Sequence, residues 1–319
     1  MQKNWDQKKF EREQLVARVC WYYHILGMTQ QEIAKKLDVG RVRVNRLLAE
    51  ARRDGTVKVS IDLKLVECVE LEQKLIARYG LTHVEVIPAP DENELLREIL
   101  GRCSADYVKT LLHDGVSIGV AWGKTLRAMA TALRSSEVPN SSVVSLLGSM
   151  SRRSSVNTFE ATTTMAQKML AECYYLASPI IADTEESAAI INSQRIVREV
   201  YEQARHVDVA LLSVGGMETA TLREMKIVDE DTFRDLSKRG SIGNLLGYFV
   251  GPKAEIIDHE FNRRVTCVRP CDLENVAHRV MISGGRTKGP ILKALLERGY
   301  LHALITDTGA AVEILGVEK

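Results

Sequence analysis

The chain has 319 residues, 45% hydrophobic and 27% charged, with seven prolines and a net charge of +1. That length predicts two or three domains, and the balance excludes a disordered or low-complexity protein. Apolar runs such as residues 209–214 fall far short of the roughly 20 residues that span a bilayer, which excludes a helical membrane protein.

The N-terminus is charged and lacks the apolar core of a signal peptide, so a cytoplasmic location is expected, with no membrane partner. Six cysteines are scattered without a Cys-x-x-Cys pair. Cys267 and Cys271 stand four apart with no second pair nearby. Neither zinc nor a disulfide framework is expected, and no metal or other cofactor.

Residues 1–60 hold thirteen Lys/Arg against seven Asp/Glu, so a head of net +6 precedes a body of about −5. A basic head predicts an anionic partner. Leu15, Val19, Tyr22 and Leu26 recur at helical spacing within residues 11–26, and Gly27 stops that helix. Thr29-Gln-Gln-Glu32 is a capping box. The short helix it opens buries Ile33 and Leu37 around a small Ala34. Asp38-Val39-Gly40 turns the chain, with Asp at a left-handed position where glycine is usual. A second helix starts at Arg41, buries Val44, Leu47, Leu48 and Ala51, and stops at Gly55.

This is the helix-turn-helix arrangement. A wheel of the second helix leaves Val42, Arg46, Ala49 and Arg53 outward, with Arg43 and Asn45 on the flanks. Arginine pairs bidentately with guanine, asparagine with adenine, and Val42 suits a thymine methyl. Arg52, Arg53 and Lys58 suit phosphates. Double-stranded operator DNA is the expected partner, with Thr29, Gln30, Arg41, Val42, Arg43, Asn45, Arg46 and Arg53 as its contacts.

Residues 56–62 alternate with a period of two and predict a strand, in the manner of a small wing. Cys68, Leu71, Leu75 and Tyr79 then predict a helix ending at Gly80. Its apolar stripe packs either on its own domain or on a second copy. The expected division is a head over 1–62, a linker helix over 63–80 and a body over 81–319.

The body alternates strand and helix. Strands are predicted at 83–88, 116–120, 143–147, 175–181, 207–214, 279–283 and 302–306. Helices are predicted at 93–112, 125–134, 157–172, 186–204, 229–239 and 288–298. The fold class is therefore α/β: a small all-helical helix-turn-helix head, then a mostly parallel α/β effector domain. Ligands in such folds bind beyond the carboxyl ends of the strands. Small polar loops follow several strands: Gly123-Lys-Thr125, Gly148-Ser149, Gly215-Gly216, Gly240-Ser-Ile-Gly-Asn244, Gly284-Gly-Arg-Thr-Lys288 and Thr306-Asp-Thr308. Glycines and helix N-termini suit anions, and Lys124 and Lys288 add charge. Gly-Lys-Thr lacks the upstream glycine of a P-loop, and no Gly-x-Gly-x-x-Gly follows a strand. The loops together predict a polar small ligand, polyhydroxylated or phosphorylated.

Residues 29–37, Val44-Asn-Arg-Leu-Leu48 and Gly55-Thr-Val57 resemble the head of SorC-family bacterial transcription regulators. Gly119-Val-Ala-Trp-Gly-Lys-Thr-Leu126, Ser178-Pro-Ile-Ile-Ala-Asp183, Gly240-Ser-Ile-Gly-Asn244, Gly284-Gly-Arg-Thr-Lys288 and Leu304-Ile-Thr-Asp307 continue the likeness in order, over about residues 12–315. The resemblance implies an effector domain similar to sugar-phosphate isomerases and glucosamine-phosphate deaminases. It implies a sugar, polyol or sugar-phosphate effector that alters the grip on operator DNA. It also implies a homo-oligomer, a tetramer built as a dimer of dimers. Carried over, Gly123, Lys124 and Thr125 hold a phosphate or terminal hydroxyl, and Gly284, Gly285 and Lys288 frame the other side. Gly148, Ser149, Gly215, Asn244 and Asp307 complete the expected effector site. Two departures stand out. Asn244 replaces the family's usual Asp, and Arg286 adds a cation before Lys288.

The alternative function is a sugar-phosphate isomerase or deaminase with an appended head. That chemistry needs a carboxylate base at the sugar carbon. Asn244 supplies none, and no matched loop has a paired acid except Asp307, so no catalytic residue is assigned and a non-enzymatic regulator is expected.

Overall fold

A computed structural model of the chain describes residues 2–53, 56–57, 65–90, 92–149, 158–217 and 221–317. It divides into two compact units, residues 1–63 and 64–319.

In the first unit, α1 (Gln2–His24), α2 (Gln30–Leu37) and α3 (Arg41–Arg53) surround one apolar core. Val19, Cys20, Ile33, Ala34, Val44, Leu47, Leu48 and Ala51 are buried together. The capping box forms: Glu32 N donates to Thr29 Oγ1 at 3.3 Å, and Thr29 N donates to Glu32 Oε2 at 2.8 Å. Asp38 takes the left-handed conformation (φ 52°, ψ 49°), and Val39 N closes the turn on Ala34 O at 3.0 Å. The first helix starts earlier than residue 11, because no breaker interrupts residues 2–10. Val57 is half-buried against the head's core. The rest of the expected wing, 58–62, lies outside the described residues, as does the expected stop at Gly55.

The second unit opens with α4 (Val66–Tyr79), followed by β1 (His83–Ile87), α5 (Asn93–Thr110), β2 (Ser117–Val120), α6 (Lys124–Ala132) and β3 (Ser142–Ser145). Then come α7 (Thr158–Met169), β4 (Glu172–Tyr174), α8 (Glu185–Ser193), α9 (Arg195–Arg205), β5 (Val209–Leu212), β6 (Val214–Gly216), α10 (Thr221–Glu224) and α11 (Glu230–Lys238). The chain closes with β7 (Gly243–Leu245), β8 (Tyr248–Val250), α12 (Glu260–Arg263), β9 (His278–Ile282), α13 (Gly289–Glu297), β10 (Ala303–Asp307) and α14 (Thr308–Leu315). Among the described residues no helix is long and apolar enough to cross a membrane.

Seven strands make one parallel sheet in the order β1-β10-β9-β5-β2-β3-β4. Its central strands are buried on both faces, as parallel sheets between helices require. The linker expected over 63–80 is instead the first helix of this unit. Cys68, Leu71 and Leu75 sit in its core, so the stripe is covered by its own domain.

Three local readings are corrected. The strand expected at 175–181 is β4 at 172–174, and the residues after it are irregular, held by single bridges Ser149–Pro179 and Ile181–Val265. The helix expected over 186–204 breaks at Gln194, whose extended backbone (ψ 136°) separates α8 from α9. Residues 240–244 are not all loop, since Gly243 and Asn244 belong to an antiparallel sheet β6-β7-β8. The hairpin β7–β8 turns through Leu246 and Gly247, both at positive φ. A tight turn of that kind normally advertises itself as Asn-Gly, and Leu-Gly does not.

Candidate functional site

In the first unit the DNA-facing candidates occupy one exposed side. Arg41, Val42, Arg43, Asn45, Arg46 and Arg53 of α3 are all exposed, and Val42 is 85% so. At that exposure the side chain buries little apolar area in the fold. Thr29, Gln30 and Arg41 line a shallow hollow with Tyr23 and Met28, where the end of α1 meets the starts of α2 and α3. Arg46 lies 3.9 Å from Glu50, which also binds Arg12 at 2.8 Å. These pairs are exposed and hold the side chains loosely.

In the second unit, adjacency of β9, β5 and β2 brings their carboxyl-end loops into one cleft, beside α5 and Asn244 of β7. The cleft is partly open to solvent. Gly123, Lys124, Thr125, Gly215, Asn244, Gly284, Gly285 and Lys288 all line it. Gly123 precedes α6, so the positive end of that helix faces the cleft beside Lys124.

Lys288 carries the main electrostatic feature. Burial and the neighbouring Arg97 guanidinium push its ammonium down to about 8, against a smaller pull upward from Asp307. Its Nζ reaches Ser283 Oγ at 3.4 Å.

Asp307 lies beneath this wall. Its carboxylate accepts from Gly309 N at 2.8 Å, Ala310 N at 3.2 Å and Gly285 N, so it caps α14 and pins the 284–288 loop. It organises the cleft and does not line it. Arg286 also points away, pairing with Glu313 at 3.2 Å on the surface.

Among the described residues lining the cleft, Gly148 and Ser149 do not appear. They follow β3, one strand outside β2. Ser149 N donates to Ser178 O at 2.7 Å, and a Cβ at Gly148 would lie 2.3 Å from Ser178 O and 2.5 Å from Pro179 O. Gly148 is there for a close backbone approach. Gly148→Ala is expected to cost roughly 1–3 kcal/mol through overpacking, lowering the melting temperature while leaving ligand affinity at the cleft unchanged. Thermal melts and titration of one variant check both halves.

Eight cleft residues were not anticipated: Asn93, Leu96, Arg97 and Leu100 on α5, and Trp122, Ser213, Val214 and Thr287. Trp122 and Thr287 sat inside motifs already singled out. Asn93 and Arg97 share a helical face four residues apart, but nothing local tells that face from any other polar one. Among the described residues no cluster of His, Cys, Asp and Glu could hold a metal ion.

A family model described as "Putative sugar-binding domain" matches residues 64–316. The erythritol catabolism regulatory protein EryD of Brucella abortus is 28% identical over 307 residues, covering 95% of this chain and 97% of its own. The deoxyribonucleoside regulator of Bacillus subtilis is 28% identical over 309 residues, covering 94% and 97%. The full-length sorbitol operon regulator SorC from Klebsiella pneumoniae has the same fold, with a TM-score of 0.73 at 23% identity over 95% of this chain and 98% of SorC. The chain belongs to this sugar-binding-domain family, and the relatives it matches along nearly their whole length are transcription regulators.

Proposed function

We propose that the chain is a ligand-controlled transcription regulator of a carbohydrate or polyol catabolic operon. Its head, residues 1–62, reads double-stranded operator DNA with α3. Arg43, Asn45 and Arg46 meet base edges, Val42 meets a thymine methyl, and Thr29, Gln30, Arg41 and Arg53 meet the backbone and groove edge. Its body binds a small sugar or polyol derivative bearing an anionic group, a phosphate first of all. The protein acts in the cytoplasm as a homo-oligomer, since paired heads read repeated half-sites.

The observation that carries the reading is the cation wall of the cleft. Arg97, Lys124 and Lys288 line it beside the N-terminus of α6, and among the described residues no carboxylate does. Relatives whose names link them to erythritol catabolism and to deoxyribonucleosides support a carbohydrate-derived effector. The protein works by binding rather than turnover. Asp307, the acid beneath the cleft wall, is committed to three backbone N–H groups. The mechanism is linkage. An effector that prefers one arrangement of the oligomer changes the affinity of the heads for DNA by its differential affinity for the two arrangements.

A thermal-shift screen of the full chain against sugars, polyols and their phosphates tests this. A phosphorylated ligand is expected to stabilise the protein by about 2.7 kcal/mol at a hundredfold excess over Kd. The same ligand is expected to change the mobility shift of operator DNA. Stabilisation without any change in DNA affinity would break the link between the two halves.

A further inference from the structure

The last helix of the body joins the cleft to the body's first helix. α14 is short, Thr308–Leu315, and backbone groups at both of its ends are taken up by other elements. At the N-terminal end the two oxygens of Asp307 divide the work. Oδ1 accepts from Gly309 N at 2.8 Å and Ala310 N at 3.2 Å, which caps the helix. Oδ2 accepts from Gly285 N, which holds the glycine loop of the cleft. Asp307 is 1% exposed, so a bond broken there is not made good by bulk water. A second tie runs alongside. Arg286 of the loop pairs with Glu313 of α14 at 3.2 Å, and a Cβ on Gly289 would lie 2.3 Å from Glu313 Cγ. Loop and helix are packed too closely, and joined at too many points, to move independently.

At the C-terminal end of α14 the partners belong to α4. Arg78 Nη1 donates to Leu315 O at 3.1 Å, and Tyr79 Oη donates to Ile314 O at 3.4 Å. Both carbonyls lie in the last turn of α14, where a helix leaves its carbonyls without acceptor partners of its own and where a cation suits the dipole. Arg78 and Tyr79 stand in the last turn of α4, which is anchored in the core by Cys68, Leu71 and Leu75. α4 opens the second unit, directly after the chain leaves the first.

The charges make this arrangement sensitive to what the cleft holds. Asp307 is close enough to Lys288 to pull its ammonium toward the charged form. An anion that binds Lys288 therefore meets the Asp307 carboxylate as a like charge and repels it. The bond to Gly285 is the one that can yield without uncapping α14.

We propose that α14 relays occupancy of the cleft to α4, with Asp307 as the positioning residue at the cleft end and Arg78 and Tyr79 as those at the α4 end. This rests on reading the cleft as the site of an anionic effector and the first unit as a DNA-binding head. An anion in the cleft loosens the Asp307–Gly285 bond, α14 shifts with the carboxylate that caps it, and α4 takes up the shift through the Ile314 and Leu315 carbonyls. α4 in turn biases the chain that enters the head.

The test uses the full chain and DNA selected from a random library by the wild-type protein. Linkage is reciprocal, so DNA on the head must act back on the cleft. On DNA binding, hydrogen–deuterium exchange is expected to change in the peptides that carry Gly285, Gly309 and Ala310. In Arg78→Met/Tyr79→Phe, which keeps bulk and removes the two donors, that change is expected to fall by more than half while DNA is still bound. Arg78→Lys keeps a cation at the helix end and is expected to retain the wild-type response. Gly148→Ala controls for stability alone: it is expected to lower the melting temperature and leave the response intact. A full response in the double variant, or wild-type DNA binding that leaves those peptides unchanged, overturns the relay and leaves the DNA-binding and effector readings standing. Failure to select any DNA overturns the DNA-binding reading and the relay with it.

Discussion

Arg46→Ala is expected to abolish recognition of operator DNA while leaving effector binding untouched. Arg46 sits on the outer face of α3, its side chain 69% exposed, with one loose ion pair to Glu50. The head's core, from Val19 to Ala51, lies on the opposite face. Truncation therefore removes no packing, and exposed pairs of this kind contribute little to stability. On DNA the same side chain is worth much more. A bidentate arginine–guanine contact carries roughly 1–3 kcal/mol of discrimination, and a two-headed complex loses it twice. At about 1.4 kcal/mol per tenfold, the loss runs from tens to roughly ten thousand in affinity. The measurement pairs a mobility shift, on DNA selected from a random library by the wild-type protein, with a thermal shift by the effector. Parallel loss of both activities would mean misfolding and would remove Arg46 from the reading face. Lys58, proposed for phosphate contact and outside the described residues, should differ in kind: its loss weakens all sequences alike and lowers the salt slope by about one.

Affinity for a phosphorylated effector is expected to fall as pH rises above about 8, and Lys288 is expected to be the cause. In the free protein, burial and Arg97 bring the Lys288 ammonium down to about 8. A bound anion favours the charged form and raises that value again. Binding between the free and bound values therefore takes up a proton, and affinity drops by up to tenfold per pH unit across that window. The phosphate itself stays dianionic there, because its second ionisation lies near 6. The folded state responds in the opposite sense. Its Lys288 value is below that of the unfolded chain, so the unliganded protein gains stability as pH rises from about 8 toward the ordinary lysine range. Lys288→Met should weaken the effector by about 10- to 100-fold, the worth of one charged hydrogen bond. Lys288→Arg should keep binding and lose the pH dependence, since guanidinium does not titrate in that range. Calorimetry from pH 7 to 9.5 in buffers of different ionisation heat checks the proton uptake. A flat wild-type profile would show that Lys288 stays outside the binding event.

The local signals were legible where one short segment contains all the physics. The Thr29–Glu32 box needs only its own four residues, and Asp38 can turn left-handed wherever it stands. The βα loops announced themselves because glycine and a helix start are adjacent in sequence, and Gly123-Lys-Thr125 opens α6 as expected. Asn244 was visible as a residue out of pattern. Its state, with Nδ2 buried and unpaired against Gly215 among the described residues, was not.

The amino-acid sequence by itself determined the two-part organisation, the capped helical head and the alternating α/β body, because capping, periodicity and turn chemistry act over a few residues. Only the tertiary structure decided which loops meet. Strand order placed β2, β5, β9 and β10 side by side and left β3 outside, so Gly123, Gly215 and Gly284 share a cleft while the similar Gly148-Ser149 packs on Ser178 and Pro179. It also gave Asp307 to a helix cap, turned Arg286 toward Glu313, and brought Arg97 from an unremarked helix to Lys288. Strand order and side-chain partnering depend on residues far apart in the chain, and no local window contains both ends of those interactions.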